Sequence, residues 1–240
     1  MEKRKTINWL PTDNRFVAFI DILGFKDLVM RNSHSEIYRL LNEISKLRKL
    51  IENWEDTNDG RYINSEMYTV SFSDSIVIFS KSDSIEDFDL FIYSVKWLIQ
   101  GAIERSIPLK GALAYGKISL NKSSQIYFGQ PIIDAYLLEE EVNYFGVVAH
   151  HSIEKYYVDN IEKSSSKDLL FETQTPLKYG KISHLNLLWF HHKEVNVKNL
   201  KNTIKKLQYN ISGNPRRYVD NTLEFIDGIY NSIKIKPKSK

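Results

Sequence analysis

A short, almost unbroken apolar run near the amino terminus, Phe16–Ile20, sets the strongest constraint on how this chain can fold. Five consecutive apolar residues are typical of a strand that is buried on both faces, at the centre of a sheet. Asp21 follows the run directly, and a turn containing Gly24 leads into an amphipathic stretch. The pattern predicts a central strand over about 15–22 that ends at a carboxylate, followed by a short helix near 25–31.

Two interpretations of Asp21 remain open on this stretch alone. A carboxylate at the end of a central strand can hold a cation, while free N–H groups at the start of the next helix face an anion such as phosphate. In the alternative interpretation, Asp21 only caps the helix that follows a core strand.

The remainder of the chain mixes helices and strands. Up to residue 155 the patterns predict helices at about 35–55, 85–105 and 131–143, a hairpin over 67–79, and strands at 109–118 and 145–149. Beyond it they predict a strand at 185–190 and helices at about 197–210 and 216–232. This order favours an α+β fold in which helices cover one face of a mostly antiparallel sheet. We divide the chain into a domain over 1–155 and a C-terminal α/β extension over 156–240 that packs on it.

Composition excludes several classes of protein. The net charge of +3 comes largely from two basic tails, 1–5 and 234–240, which we expect to be disordered. No cysteine is present, which rules out disulfides, thiolate zinc sites and a cysteine nucleophile. The sequence lacks an amino-terminal signal segment and a membrane-length apolar run, so we expect a cytoplasmic protein with no membrane partner. The helix predicted at about 197–210 is basic but lacks the interleaved exposed aromatic residues of a nucleic-acid surface, so no nucleic-acid partner is expected.

A second aspartate, Asp74, lies at the tip of the predicted hairpin, between two apolar strands. If these strands neighbour the first strand in the sheet, the carboxylates of Asp21 and Asp74 meet at one edge. Two carboxylates that lie close together repel, and a cation between them relieves the repulsion. Mg²⁺ or Mn²⁺ held by two carboxylates and substrate phosphates would do so, and two such ions support an in-line phosphoryl displacement. Helix capping and turn formation are the alternative roles of the two aspartates.

Both acidic stretches resemble metal-binding motifs of the class III nucleotide cyclases. Phe19-Ile-Asp-Ile-Leu-Gly-Phe25 is similar to the first motif of that family, and Phe72-Ser-Asp-Ser-Ile-Val-Ile78 is similar to the second. The stretches 110–116 and 129–139 follow in the family's order, and the resemblance covers about 14–155. It is nearest to the bacterial anti-phage pyrimidine cyclases of Pycsar systems. The resemblance implies a ferredoxin-like cyclase homology domain with a mostly antiparallel sheet.

The resemblance also implies roles for individual residues. Asp21 and Asp74 would bind two Mg²⁺ or Mn²⁺ ions, with the carbonyl of Ile22 as an additional ligand. Lys110 would contact a phosphate, as a point charge in place of the arginine that is usual in the pyrimidine branch. The triphosphate would lie against the backbone amides of Leu23, Gly24 and Phe25.

Two departures from the purine-specific members concern base selection and catalysis. Val70 stands where those members carry a lysine four residues before the second aspartate, and the region 134–138 contains neither their asparagine nor their arginine. Candidates for contacts to a smaller base are Tyr62, Asn64 and Tyr68, just before or early in the hairpin.

The combined prediction is a homodimeric cyclase with active sites between the subunits. It would convert UTP or CTP to the 3′,5′-cyclic monophosphate and pyrophosphate, as a signal in anti-phage defence. An adenylate or guanylate cyclase and a catalytically inactive nucleotide-binding relative are the alternatives, with a nucleic-acid-binding module as a third.

Overall fold

The computed structural model describes residues 8–54, 60–190, 196–210 and 213–235. The basic tails predicted to be disordered lie outside these residues, apart from 234 and 235 at the end of the last helix. The strands are β1 (Thr12–Ile22), β2 (Met67–Phe72), β3 (Ser75–Ser80), β4 (Leu109–Asn121), β5 (Ile126–Phe128), β6 (Gly146–Ala149), β7 (Leu170–Leu177) and β8 (Gly180–Leu187). The helices are α1 (Phe25–Arg31), α2 (His34–Glu52), α3 (Ile85–Glu104), α4 (Gln130–Glu141), α5 (His151–Asn160), α6 (Val197–Lys206) and α7 (Asn214–Ile235).

All eight described strands belong to one sheet, with the order β2-β3-β1-β4-β6-β8-β7 and β5 paired to β4. Its pairings are antiparallel except that of β4 with β6. The apolar run Phe16–Ile20 forms the middle of β1, which lies between β3 and β4, and every residue of the run except the half-buried Phe19 is buried. The α+β class, the mostly antiparallel sheet and the central position of β1 are therefore as predicted.

Helix starts follow from local sequence. The side chain of Ser33 accepts a hydrogen bond from the backbone N–H of Glu36, whose carboxylate accepts one from the backbone N–H of Ser33. Ser84 caps α3 by accepting from the backbone N–H of Asp87. These side chains satisfy N–H groups that have no partner inside the helix, so each helix begins at a defined residue.

One helix departs from the predicted arrangement, because α4 packs on the opposite face of the sheet from the others. The main core contains buried side chains of α2, α3, α5, α6 and α7. A second, smaller cluster combines Ala135 of α4 with Val17, Phe79 and Ala114 on the other face of the strands. Residues alternate between the two faces of a strand, so both faces of β1 are apolar and both are covered in part.

The segment beyond residue 155 contributes β7 and β8, and β8 pairs with β6 of the preceding segment. The sheet therefore continues across the predicted domain boundary, which stays a prediction. Sequence patterns missed α5, β5 and β7, since β5 is only three residues long and β7 carries polar residues and Pro176 on an edge strand. Within the described residues, no helix combines the length and apolar character that crossing a membrane requires.

Candidate active site

Pairing of β1 with β3 brings the two aspartates of the sequence motifs together. Asp21 lies opposite Ser75 in the register, and the backbone N–H of Ile22 donates a hydrogen bond of 3.1 Å to the carbonyl oxygen of Asp74. Both aspartates are half-buried, so their carboxylates are neither in a dry core nor fully in solvent. The two-residue turn that carries Asp74 also contains Ser73, whose φ of 57° is unusual for a residue other than glycine.

The electrostatics of this edge favour a bound cation. The pKa of Asp21 is raised to about 7, chiefly by burial and also by the negative charges of Glu139 and Asp74, while Lys110 and the side chain of Ser75 partly oppose the increase. A carboxylate held in this way is costly to ionise in the absence of a positive charge. A divalent ion would supply that charge.

The donor set matches a metal that binds together with phosphate. Within the described residues there is no group of three or more acidic or histidine side chains that could hold an ion by itself. Asp21 and Asp74 supply two carboxylates, and the carbonyl of Ile22 is the additional oxygen predicted from sequence. Mg²⁺ is commonly bound by one or two carboxylates and completes its coordination with water and substrate phosphates. The residues present therefore fit a substrate-linked divalent ion.

Lys110 lies next to Asp21 in the register of β1 and β4, but its ammonium group is already paired. Its Nζ lies 2.8 Å from Oε1 of Glu139 and donates a hydrogen bond of 2.8 Å to the carbonyl oxygen of the same residue. Both side chains are buried, and burial raises the pKa of Glu139 while Lys110 lowers it. Sequence reasoning missed Glu139, because a glutamate at the end of a helix is ordinarily exposed. The predicted contact of Lys110 with a phosphate would have to use the N–H of the ammonium group that these two contacts leave.

The predicted triphosphate contacts lie at the turn between β1 and α1. Gly24 is in the left-handed region, with φ of 71°, and is the N-cap of α1, which begins at Phe25. The backbone N–H of Leu23 donates a hydrogen bond of 3.0 Å to the carbonyl oxygen of Pro108, so this amide is already engaged. The cradle predicted from sequence is thus reduced to the amides of Gly24 and Phe25.

The candidate base contacts lie far from the aspartates within one chain. The hydroxyl of Tyr62 shares a hydrogen bond of 3.0 Å with the hydroxyl of Ser165. Tyr68 is four residues before Phe72, the last residue of β2, or roughly 13 Å from it at about 3.3 Å per residue, and Asp74 lies beyond Phe72 in the turn. Its hydroxyl shares a hydrogen bond of 2.8 Å with the hydroxyl of Tyr127. Asn64 is exposed, and its carbonyl oxygen accepts a hydrogen bond from Nζ of Lys81. One subunit alone does not bring Asn64 or Tyr68 to the acidic pair.

The sheet face that carries the Asp21 side chain is only partly covered, and it exposes apolar side chains. Phe72, beside the turn of Asp74, is 86% exposed. Phe19 is half-buried and makes an edge-to-face contact with Tyr136 of α4, with ring centroids 5.3 Å apart. Further exposed apolar residues of α4 are Ile133 and Leu137. An exposed apolar surface beside a polar site is typical of a protein–protein interface.

The chain is similar to solved structures that carry the name of a nucleotide cyclase. The catalytic core of a rhodopsin-guanylyl cyclase with converted specificity, solved in complex with ATPαS, gives a TM-score of 0.52 at 14% identity, over 73% of this chain and 94% of that chain. Adenylate cyclases of Trypanosoma brucei in their monomeric state give 0.44 at 16% identity, over 75% and 90% of the two chains. An adenylate/guanylate cyclase/hydrolase of Silicibacter pomeroyi gives 0.44 at 14% identity, over 74% and 98%. No protein-family model and no curated protein matches the sequence. The first of these likenesses identifies the fold as that of a nucleotide cyclase catalytic core.

Proposed function

We propose that this protein is a nucleotidyl cyclase that converts a pyrimidine nucleoside triphosphate, UTP or CTP, to its 3′,5′-cyclic monophosphate and pyrophosphate. The fold is that of cyclase catalytic cores, one of which was solved with the nucleotide analogue ATPαS. The observation that carries the proposal is the pairing of β1 with β3, which holds Asp21 and Asp74 at one sheet edge. The role as a signal in anti-phage defence rests on the sequence resemblance alone.

The chemistry is an intramolecular phosphoryl transfer. The ribose 3′-oxygen forms a bond to the α-phosphorus, the bond from that phosphorus to the pyrophosphate oxygen breaks, and the hydroxyl proton leaves to solvent. Two divalent ions, when bound, would lower the pKa of the attacking hydroxyl and neutralise charge on the leaving pyrophosphate. Asp21 and Asp74 would hold these ions, and the amides of Gly24 and Phe25 would orient the phosphates, so the reacting atoms meet in line.

Pyrimidine specificity is proposed from what replaces the purine-reading residues. Val70 cannot donate a hydrogen bond to a purine in the way that a lysine can. Asn64 and Tyr68 offer an amide and a phenol for a smaller base. Because both lie far from Asp74 within one chain, we propose that they act on the site of a second subunit.

A homodimer is part of the proposal. The apolar surface formed by Phe72 and by Ile133, Tyr136 and Leu137 of α4 flanks the acidic pair, and a second copy of the chain would cover it. Two-fold dimers that use the same surface on both subunits are the commonest assemblies of soluble proteins. The active site would then form where the two subunits meet.

The decisive experiment is incubation with each of ATP, GTP, UTP and CTP in the presence of Mn²⁺, followed by chromatography and mass spectrometry of the products. We expect cyclic UMP or cyclic CMP from the wild-type protein. Asp21→Asn and Asp74→Asn should each reduce the rate by at least about a hundredfold, since each removes a charged metal ligand. Asp159→Asn, at an exposed position of α5, is the matched control and should leave the rate unchanged.

Product analysis, together with measurements of nucleotide binding and nucleic-acid binding, distinguishes the alternative functions. A cyclic product from ATP or GTP alone would replace the pyrimidine assignment with a purine-specific cyclase. Nucleotide binding that depends on Asp21, with no cyclic product from any substrate, would identify an inactive relative. A nucleic-acid affinity that falls steeply with salt would favour the third alternative, a nucleic-acid-binding module.

The assembly is tested by light scattering. Phe72→Asp should convert a dimer to a monomer and abolish cyclase activity, because it places a charge in the proposed interface. Val158→Asp is the control, since Val158 is also an exposed apolar residue but lies on α5. A wild-type protein that is monomeric and fully active would refute the dimeric site.

A further inference from the structure

The amino-terminal part of α7 lies at the same end of the sheet as the two aspartates. In the register of the sheet, Asp21 is opposite Lys110, and Lys110 is opposite Gly146 of β6. Phe145 immediately precedes Gly146, and its ring stacks parallel to the ring of Tyr218 of α7, with centroids 6.4 Å apart and an angle of 5°. Tyr218 therefore comes from the segment beyond residue 155 to the edge that carries the candidate site.

Hydrogen bonds hold this part of α7 in place. The backbone N–H of Phe145 donates to the hydroxyl of Thr222, one turn after Tyr218, at 2.8 Å. The side-chain amide of Asn221 donates to the carbonyl oxygen of Asn143 at 2.7 Å. Thr222 is completely buried. The position of the Tyr218 ring is thus fixed by contacts on both sides of the loop between α4 and β6.

The hydroxyl of Tyr218 differs from those of other partly buried tyrosines. The hydroxyl groups of Tyr156 and Tyr157 each donate to a backbone carbonyl oxygen at 2.8 Å. Tyr218 is half-buried as well, but no atom of the described residues is a hydrogen-bond partner of its hydroxyl. A donor that is held in a fixed position without a partner is available to a ligand.

The charges around Tyr218 connect it to the acidic site. Burial raises the pKa of Tyr218, the negative charges of Glu139 and Asp21 raise it further, and Lys178 opposes the increase. The hydroxyl therefore stays protonated at neutral pH and can donate a hydrogen bond to a nearby acceptor.

We infer that the hydroxyl of Tyr218 donates a hydrogen bond to a phosphate oxygen of the bound nucleoside triphosphate, which makes α7 part of the substrate site. This inference rests on the proposed function. Two observations indicate that few other donors are available to a bound phosphate. Lys110 is paired with Glu139, and α4 contains no lysine, arginine or histidine.

The test is binding of inorganic tripolyphosphate and of UTP and CTP, each with Ca²⁺, measured by isothermal titration calorimetry. Tyr218→Phe keeps the ring stacked on Phe145 and removes only the hydroxyl. We expect it to weaken binding of tripolyphosphate and of the nucleotides by the same factor, about tenfold or more, as for a hydrogen bond to a charged group. Tyr157→Phe, which removes a hydroxyl bonded to the backbone away from α7, is the matched control and should bind like the wild type.

The outcomes separate this inference from the proposed function. If wild type and Tyr218→Phe bind tripolyphosphate equally well, the inference is wrong even if cyclic nucleotides are made. If the variant loses affinity for nucleotides but not for tripolyphosphate, Tyr218 contacts the base or ribose and the phosphate assignment is overturned. If the wild type makes no cyclic product but still binds tripolyphosphate in a Tyr218-dependent manner, the inference holds and the cyclase proposal fails.

Discussion

Replacement of Asp21 by asparagine should stabilise the metal-free protein at pH 8, although it removes a proposed metal ligand. In the folded chain the carboxyl group of Asp21 has a pKa of about 7, against an ordinary value of 3.8. The folded state therefore binds a proton more tightly than the unfolded state does. Between about pH 4 and pH 7 the wild-type protein should lose stability as the pH rises, because ionisation is costlier in the folded state. Asparagine carries no charge and avoids this cost.

The size of the effect follows from the same values. The difference between the two pKa values corresponds to about 4 kcal/mol at roughly 1.4 kcal/mol per pKa unit. Asp21 is partly exposed, so solvent screening lowers the expected gain to about 1–2 kcal/mol. For a chain of this length that equals a rise in Tm of roughly 2–8 °C. With Mn²⁺ present, the wild type should become the more stable protein. The ion binds and stabilises the folded wild type, whereas the variant lacks one of the two carboxylate ligands.

The assay is urea denaturation at pH 4.5 and pH 8 with EDTA, and again at pH 8 with Mn²⁺. Asp159→Asn, at an exposed site, serves as the control and should change the free energy of unfolding by only a few tenths of a kcal/mol. A variant that is no more stable than wild type at pH 8 in EDTA would refute the reasoning. The reasoning would also be wrong if Asp21→Asn stabilised the protein equally at pH 4.5 and at pH 8.

Three further predictions concern stability and are measured by urea denaturation. Ser73→Gly should stabilise the protein by about 0.5 kcal/mol, because relief of about 1 kcal/mol of left-handed strain outweighs the entropic cost of glycine. Gly111→Ala should destabilise it by more than about 2 kcal/mol, since a Cβ there would lie 2.7 Å from the carbonyl oxygen of Phe19. Asp89→Ala should cost about 3–5 kcal/mol, because this buried carboxylate accepts hydrogen bonds from Ser164–Ser166 and pairs with Arg61 at 2.7 Å.

Each of these three stability predictions can be contradicted by a specific result. A destabilised Ser73→Gly variant would mean that the turn is not strained in solution. A neutral Gly111→Ala variant would mean that β1 and β4 separate easily at this point. For Asp89, the variant Asp89→Asn should retain part of the stability, and equal losses for Ala and Asn would show that the charge rather than the hydrogen bonds is responsible.

Much of the fold was predictable because its determinants are local. The apolar run of β1, the capping residues Ser33 and Ser84, and the alternation around the hairpin lie within short windows of sequence. The two aspartates were found for the same reason, since each follows or interrupts an apolar strand. Elements beyond residue 155 were harder to predict, because β7 is an edge strand in which Glu172 and Gln174 are exposed.

The sequence by itself determined most of the strands and helices, and it placed Asp21 and Asp74 at the ends of apolar strands. Only the tertiary structure decided which strands are neighbours, and hence that Asp21 and Asp74 meet. It also decided that Lys110 pairs with Glu139 and that Tyr218 lies at the acidic edge. The physical reason is that secondary structure depends on interactions a few residues apart, whereas the pairing of charges and the placement of α7 depend on strand register and packing between distant segments.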